Sequence, residues 1–137
     1  MKGFGSKKNE LENNNKNNSF LEKNRLINNA LEFHNKGKIA KAKILYQNII
    51  KKGISDPRVF TNLGVIFQKE NNNESAIKLF KKSIISFPEN HEAYVNLSKA
   101  LLETGQYDLA EKYLIKITNL KPDLLIAYQN LFNIYFR

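Results

Sequence analysis

Residues 91–124 read HEAYVNLSKALLETGQYDLAEKYLIKITNLKPDL, and the segment before them, residues 57–90, reads PRVFTNLGVIFQKENNNESAIKLFKKSIISFPEN. Laid one above the other, they match Asn62 with Asn96, Ala76 with Ala110 and Pro88 with Pro122, at a step of 34 residues. The step continues outward. It joins Asn28 and Asn130 to the asparagines and Ala42 to the alanines. It also relates Phe33, Phe67, Leu101 and Tyr135, and again Leu26, Phe60, Tyr94 and Tyr128. A fixed period of this size marks a stacked repeat, in which each unit buries its apolar face only against its neighbours.

Inside each period the apolar residues recur at helical spacing. Leu26, Ala30 and Phe33 lead to a turn at Gly37; Ala42, Leu45, Tyr46, Ile49 and Ile50 give a second stripe, which Gly53 closes in the left-handed conformation that a Cβ disfavours. Asp56 is placed to cap the next helix, with Pro57 at its first position, where the missing N–H costs nothing. Phe60, Leu63, Gly64 and Phe67 follow, then a turn at Asn71, Asn72 and Asn73, then Ala76, Phe80 and Ile84. Asn90 is the expected cap of the next helix, which carries Tyr94, Leu97, Ser98 and Leu101 up to Gly105. Ala110, Leu114 and Ile117 end before Pro122; Asp123 is the expected cap of a last helix with Tyr128, Leu131 and Tyr135. The reading is seven helices: three helical hairpins and one unpaired terminal helix.

Residues 1–18 are Asn/Lys-rich with few large apolar groups, and are expected to be a disordered tail. The first helix is expected to open at Ser19, three residues before Glu22, at capping-box spacing. The folded domain is then 19–137, with repeats near 23–56, 57–90 and 91–124 and a partial fourth at 125–137. The N-terminus shows no apolar leader and no stretch is apolar enough for a membrane span, so the expected setting is cytoplasmic, away from membranes. The chain has no cysteine, which excludes disulfides and thiol chemistry.

The net charge of +9 is uneven: residues 1–56 carry 12 Lys/Arg against 5 Asp/Glu, and residues 57–137 carry 10 against 8. Neither an arginine cluster nor an aromatic stacking platform accompanies the basic part, so solvation is the preferred reading over nucleic-acid binding.

The pattern resembles the tetratricopeptide repeat family. The third repeat carries the likeness best, through Tyr94, Leu97, Ser98, Leu101, Gly105, Tyr107, Ala110, Leu114, Ile117 and Pro122; the second follows with Phe60, Leu63, Gly64, Phe67, Ala76, Phe80, Ser83 and Pro88. The first departs at Asn29, where Leu is usual, and at Ile54, where Pro is usual. The resemblance implies an all-α, right-handed superhelical solenoid of helix-turn-helix repeats, with the first helix of each pair lining a concave face. Ala30, Gly64 and Ser98, and likewise Ala42, Ala76 and Ala110, are small where helices must approach closely.

The same resemblance implies where a ligand would lie. The expected peptide-binding set is Asn28, Asn62, Asn96 and Asn130, with Arg58, Val65, Lys69 and Lys99. Asn offers two donors and an acceptor, so it can hold a peptide's backbone C=O and N–H together without reading its side chains. The helical repeats of O-linked N-acetylglucosamine transferase resemble this arrangement; inter-helix bonding by the same asparagines is the competing reading. The carboxylate clamp of chaperone-tail binders does not transfer: its five positions read Ile27, Leu31, Asn62, Glu92 and Asn96, and one of five matches. One repeat later they read Thr61, Val65, Asn96, Ile126 and Asn130, again one of five.

No enzyme is expected. His34 and His91 are far apart in sequence and keep no metal-ligand spacing with a carboxylate, and neither a nucleophile triad nor a phosphate loop is present. No cofactor or metal is expected. The expected function is a protein-interaction module for an extended peptide or protein segment. The alternative, on family analogy, is a substrate-recruiting or assembly segment of a larger or split enzyme such as a glycosyl- or sulfotransferase.

The last helix, LLIAYQNLFNIYF at 124–136, is apolar almost all round, and Phe132 stands where Ala30, Gly64 and Ser98 are small. Three explanations compete: a longer parent protein, a homo-oligomer through this helix, or a partner that covers it.

Overall fold

The structure, a computed structural model, describes residues 4–136, and all secondary structure among them is helical. The helices are α1 (Phe4–Asn35), α2 (Ile39–Lys51), α3 (Pro57–Lys69), α4 (Asn73–Ser86), α5 (His91–Glu103), α6 (Tyr107–Leu120) and α7 (Leu125–Tyr135). They fall into two compact units, the first ending at Ile54 and the second beginning at Ser55. The fold class is an all-α helical-repeat solenoid.

One turn is used three times. Gly37, Asn71 and Gly105 take φ of 71°, 60° and 74°, and they too are 34 residues apart. The residue after each donates its backbone N–H to a helix carbonyl: Lys38 to Phe33 at 2.9 Å, Asn72 to Phe67 and Gln106 to Leu101 at 2.8 Å. These bonds close the orphan carbonyls of α1, α3 and α5 and reverse the chain into each hairpin. Gly53 is also left-handed, at 75°, as the sequence suggests.

In the first unit α1 packs on α2. Ile27, Ala30, Ala42, Tyr46 and Ile49 are buried, and His34 Nδ1 and Tyr46 Oη are hydrogen-bonded at 3.1 Å. The expectation for the N-terminal residues is corrected here. α1 begins at Phe4, so residues 4–18 are helix rather than a disordered tail, and Ser19 lies inside the helix instead of capping it. Residues 1–3 lie outside the described residues. Residues 7–22 are exposed throughout, so no tertiary burial holds this stretch. No Pro or Gly interrupts residues 6–36, so a helix already nucleated where α1 packs can extend by one hydrogen bond per added residue. Burial alone therefore does not mark where α1 begins.

In the second unit α3 pairs with α4 and α5 with α6, while α4 packs on α5 and α6 on α7. Asp56 and Pro57 open α3 as expected: Asp56 Oδ1 accepts from the Arg58 N–H at 2.9 Å. Asn72 caps α4, its Oδ1 accepting from Ser75 N–H at 3.1 Å. The core runs through Ala76, Phe80, Tyr94, Leu97, Ala100, Leu101, Ala110, Leu114 and Ala127. Gly64 is small for a measurable reason: a Cβ there would stand 2.5 Å from Cε1 of Phe80, whose ring is fully buried. Ser98 is the matching small residue on α5, and its Oγ donates to the Tyr94 carbonyl at 2.8 Å.

Two expected caps do other work. Asn90 occupies the cap position of α5, but its Nδ2 donates to Thr61 Oγ1 at 3.1 Å and Ser83 Oγ at 2.9 Å. Both hydroxyls are buried, and a buried hydroxyl without a partner is costly, so the amide joins α3, α4 and the start of α5. Asp123 does not cap α7; Leu124 occupies that position, without a side-chain hydrogen bond.

Candidate peptide-binding surface

Arg58, Asn62, Val65 and Lys69 recur at steps that put them on one stripe of α3. The same positions on α5 are Glu92, Asn96, Lys99 and Glu103, and on α7 Ile126, Asn130 and Asn133. α3 touches α5 and α5 touches α7, so the stripes occupy equivalent places on consecutive helices of the second unit. Asn62, Asn96, Asn130 and Val65 are half-buried; Arg58, Lys69 and Lys99 are exposed. Asn28 is exposed on α1 of the first unit.

Several side chains near the stripes already have partners. Arg58 grips Asp56 with two bonds, Nε to Oδ1 at 3.0 Å and Nη2 to Oδ2 at 2.9 Å. Burial pushes the Asp56 carboxyl up, but the Arg58 guanidinium and the N–H groups of Arg58 and Val59 outweigh it and hold the group below the usual carboxylate range. Arg58 therefore braces its own helix cap. Gln68 Nε2 donates to Glu103 Oε2 at 2.8 Å, a bond between α3 and α5 that the sequence reading did not find. A signal for it exists: the two residues are 35 apart, the repeat step plus one, and one donates what the other accepts.

Burial bears on the clamp positions too: Ile27, in the first reading, and Thr61, in the second, are 0% and 1% exposed, and the Thr61 hydroxyl is engaged by Asn90. Among the described residues no group of three or more His, Cys, Asp or Glu is placed to hold a metal ion. Nor, among them, is any helix long and apolar enough to cross a membrane.

Residues 67–131 match the family model for the tetratricopeptide repeat. Over these residues the chain is tetratricopeptide repeat sequence. Solved structures agree on the fold. The first repeat domain of Spaghetti (RPAP3), bound to the HSP90 peptide SRMEEVD, superposes with a TM-score of 0.74 at 17% identity, covering 82% of this chain and 90% of that one. The Yersinia enterocolitica type III secretion chaperone SycD, in complex with a peptide of the translocator YopD, gives 0.74 at 19% identity, covering 82% and 92%. The second repeat domain of human RPAP3, in complex with the HSP70 peptide SGPTIEEVD, gives 0.72 at 19% identity, covering 80% and 92%. At these identities the likeness concerns the fold and not the ligand. No curated protein matches the sequence.

Proposed function

We propose that this chain is a non-catalytic interaction module that binds an extended peptide or protein segment across α3, α5 and α7. The observation that carries the reading is the recurrence of Asn62, Asn96 and Asn130, all half-buried, at one position on three consecutive helices. A half-buried amide has a restrained stem and a head that can both donate and accept, which suits a peptide backbone passing over it. Val65 adds apolar contact, Lys69 and Lys99 add positive charge, and Glu92 adds negative charge. That mixed stripe favours a polypeptide over a nucleic acid, whose phosphates call for charge of one sign. Asn28 offers the same chemistry on α1. The peptides held by three structures of the same fold support a peptide as the ligand class. Four of the five residues of the chaperone-tail clamp are missing in either register, so a free terminal carboxylate is not the feature recognised.

The test is selection of binders from a random peptide library on the immobilised chain, followed by titration of a selected peptide into wild type and into the Asn62→Ala/Asn96→Ala variant. Losing two backbone-reading side chains is expected to weaken binding about 10-fold or more, at roughly 1 kcal/mol for each hydrogen bond, with unchanged helix content. Equal affinity for both proteins rejects the asparagine ladder.

A further inference from the structure

α7 carries two apolar faces. Leu124, Ala127, Leu131 and Ile134 turn inward onto the core of the second unit. Leu125, Tyr128, Phe132, Tyr135 and Phe136 form a second strip at the three- and four-residue steps of a helix-packing seam. This strip is open: its residues are 68%, 45%, 57%, 60% and 75% exposed. At the positions of Tyr128, Phe132 and Tyr135, one repeat earlier, α5 has Tyr94, Ser98 and Leu101, each fully buried. The strip is therefore the face that a neighbouring helix covers elsewhere in the molecule.

Phe132 decides what can cover it here. The helix that pairs with α3 comes so close that even one carbon added to Gly64 would meet the Phe80 ring at 2.5 Å. A phenylalanine at the matching place on α7 excludes a helix docked at that distance. The occupant has to bring a surface that interleaves with aromatic rings at a wider spacing, toward the ~10 Å end of helix-helix separations.

We propose that the occupant is the same strip on a second copy of this chain, in an isologous antiparallel pairing of α7 with α7. Residues 124–136 contain no charged side chain, although the chain carries +9. Two copies can thus meet here without like charges in contact, while a partner drawn by the protein's positive charge finds no cation on the strip. The five open side chains present on the order of 600 Å², the lower end of what each partner contributes to a stable interface and the upper end of the apolar patch of a typical monomer. An antiparallel register that sets Tyr128 against Phe132 also sets Leu125 against Tyr135, and Phe136 stays stacked on Phe132, so every ring meets an apolar neighbour. Phe132 and Phe136 are already stacked, with centroids 4.3 Å apart, and Tyr135 donates its hydroxyl to Glu111 on α6, which leaves its polar end satisfied at the rim.

The test is sedimentation equilibrium of the full chain and of Phe132→Glu, with circular dichroism on both. Wild type is expected to dimerise with concentration. Phe132 is more than half exposed, so Phe132→Glu is expected to keep its helix content and to weaken the dimer about 30-fold or more, as loss of one central hot-spot residue does. A wild type that stays monomeric at every concentration overturns the proposal. So does a dimer that Phe132→Glu leaves intact.

Discussion

Gly64 on α3 and Phe80 on α4 approach so closely that a Cβ on the glycine would lie 2.5 Å from the ring carbon Cε1 and 2.9 Å from Cδ1 and Cζ. Since Phe80 is 0% exposed, its ring cannot swing aside into solvent. Gly64 is inside a helix and gives up helix propensity; the close pairing of α3 with α4 is what that loss permits.

Gly64→Ala is therefore expected to destabilise despite alanine's better helix propensity. Overpacking typically costs about 1–3 kcal/mol, against about 1 kcal/mol of propensity regained. A thermal melt should show a lower Tm, and Phe80→Leu in the same chain should recover part of it. A higher Tm for Gly64→Ala alone would contradict the close-packing account. The same logic expects Ala76→Leu and Ala110→Leu, both at fully buried positions, to cost more stability than Asn62→Ala.

Asn90→Ala is expected to lower stability by about 1–3 kcal/mol, because it strips the partner from two buried hydroxyls on different helices. A urea titration of Asn90→Ala beside the triple variant Asn90→Ala/Thr61→Val/Ser83→Ala separates the causes. If unpaired hydroxyls are the cost, removing them recovers stability; if Asn90 acts only as a cap, it does not.

Acid should act through Asp56. Its folded carboxyl is held below the usual range, so its contribution is fully present above the unfolded value and is lost as pH falls through the lowered folded value. In a series of urea melts from neutral pH down into that acidic window, wild type should lose more stability than Asp56→Ala. At neutral pH the variant should be weaker by roughly 1 kcal/mol, the ordinary loss of a helix cap. Parallel acid limbs for the two proteins would show that the Asp56–Arg58 pair does not contribute.

Residues 7–18 of α1 are helical but exposed on every side. Hydrogen exchange there is expected to be much faster than in residues 26–35, because no tertiary contact has to break for these amides to open. Deleting residues 1–18 should leave the stability of the rest within about 0.5 kcal/mol. Slow exchange at residues 7–18 would mean that something packs on them.

Much of this protein is determined by its sequence alone, because a repeat writes each requirement several times. The period placed the hairpins, the turns at Gly37, at Asn71, Asn72 and Asn73 and at Gly105, the start of α3 at Asp56 and Pro57, and the small residues at Gly64 and Ser98. These features depend on local backbone conformation or on a neighbour one period away, and both can be read from spacing. The tertiary structure decided the rest. Spacing shows which residues share a helix face but not which faces are covered. Thr61, which spacing alone set at a clamp position, is therefore found buried, while Tyr128, Phe132 and Tyr135 repeat buried positions and stand open. A polar side chain likewise chooses among all donors and acceptors within reach. Asn90 has a helix start beside it in sequence, yet bonds to Thr61 and Ser83, because only the packing of α3 against α4 brings two buried hydroxyls to its amide.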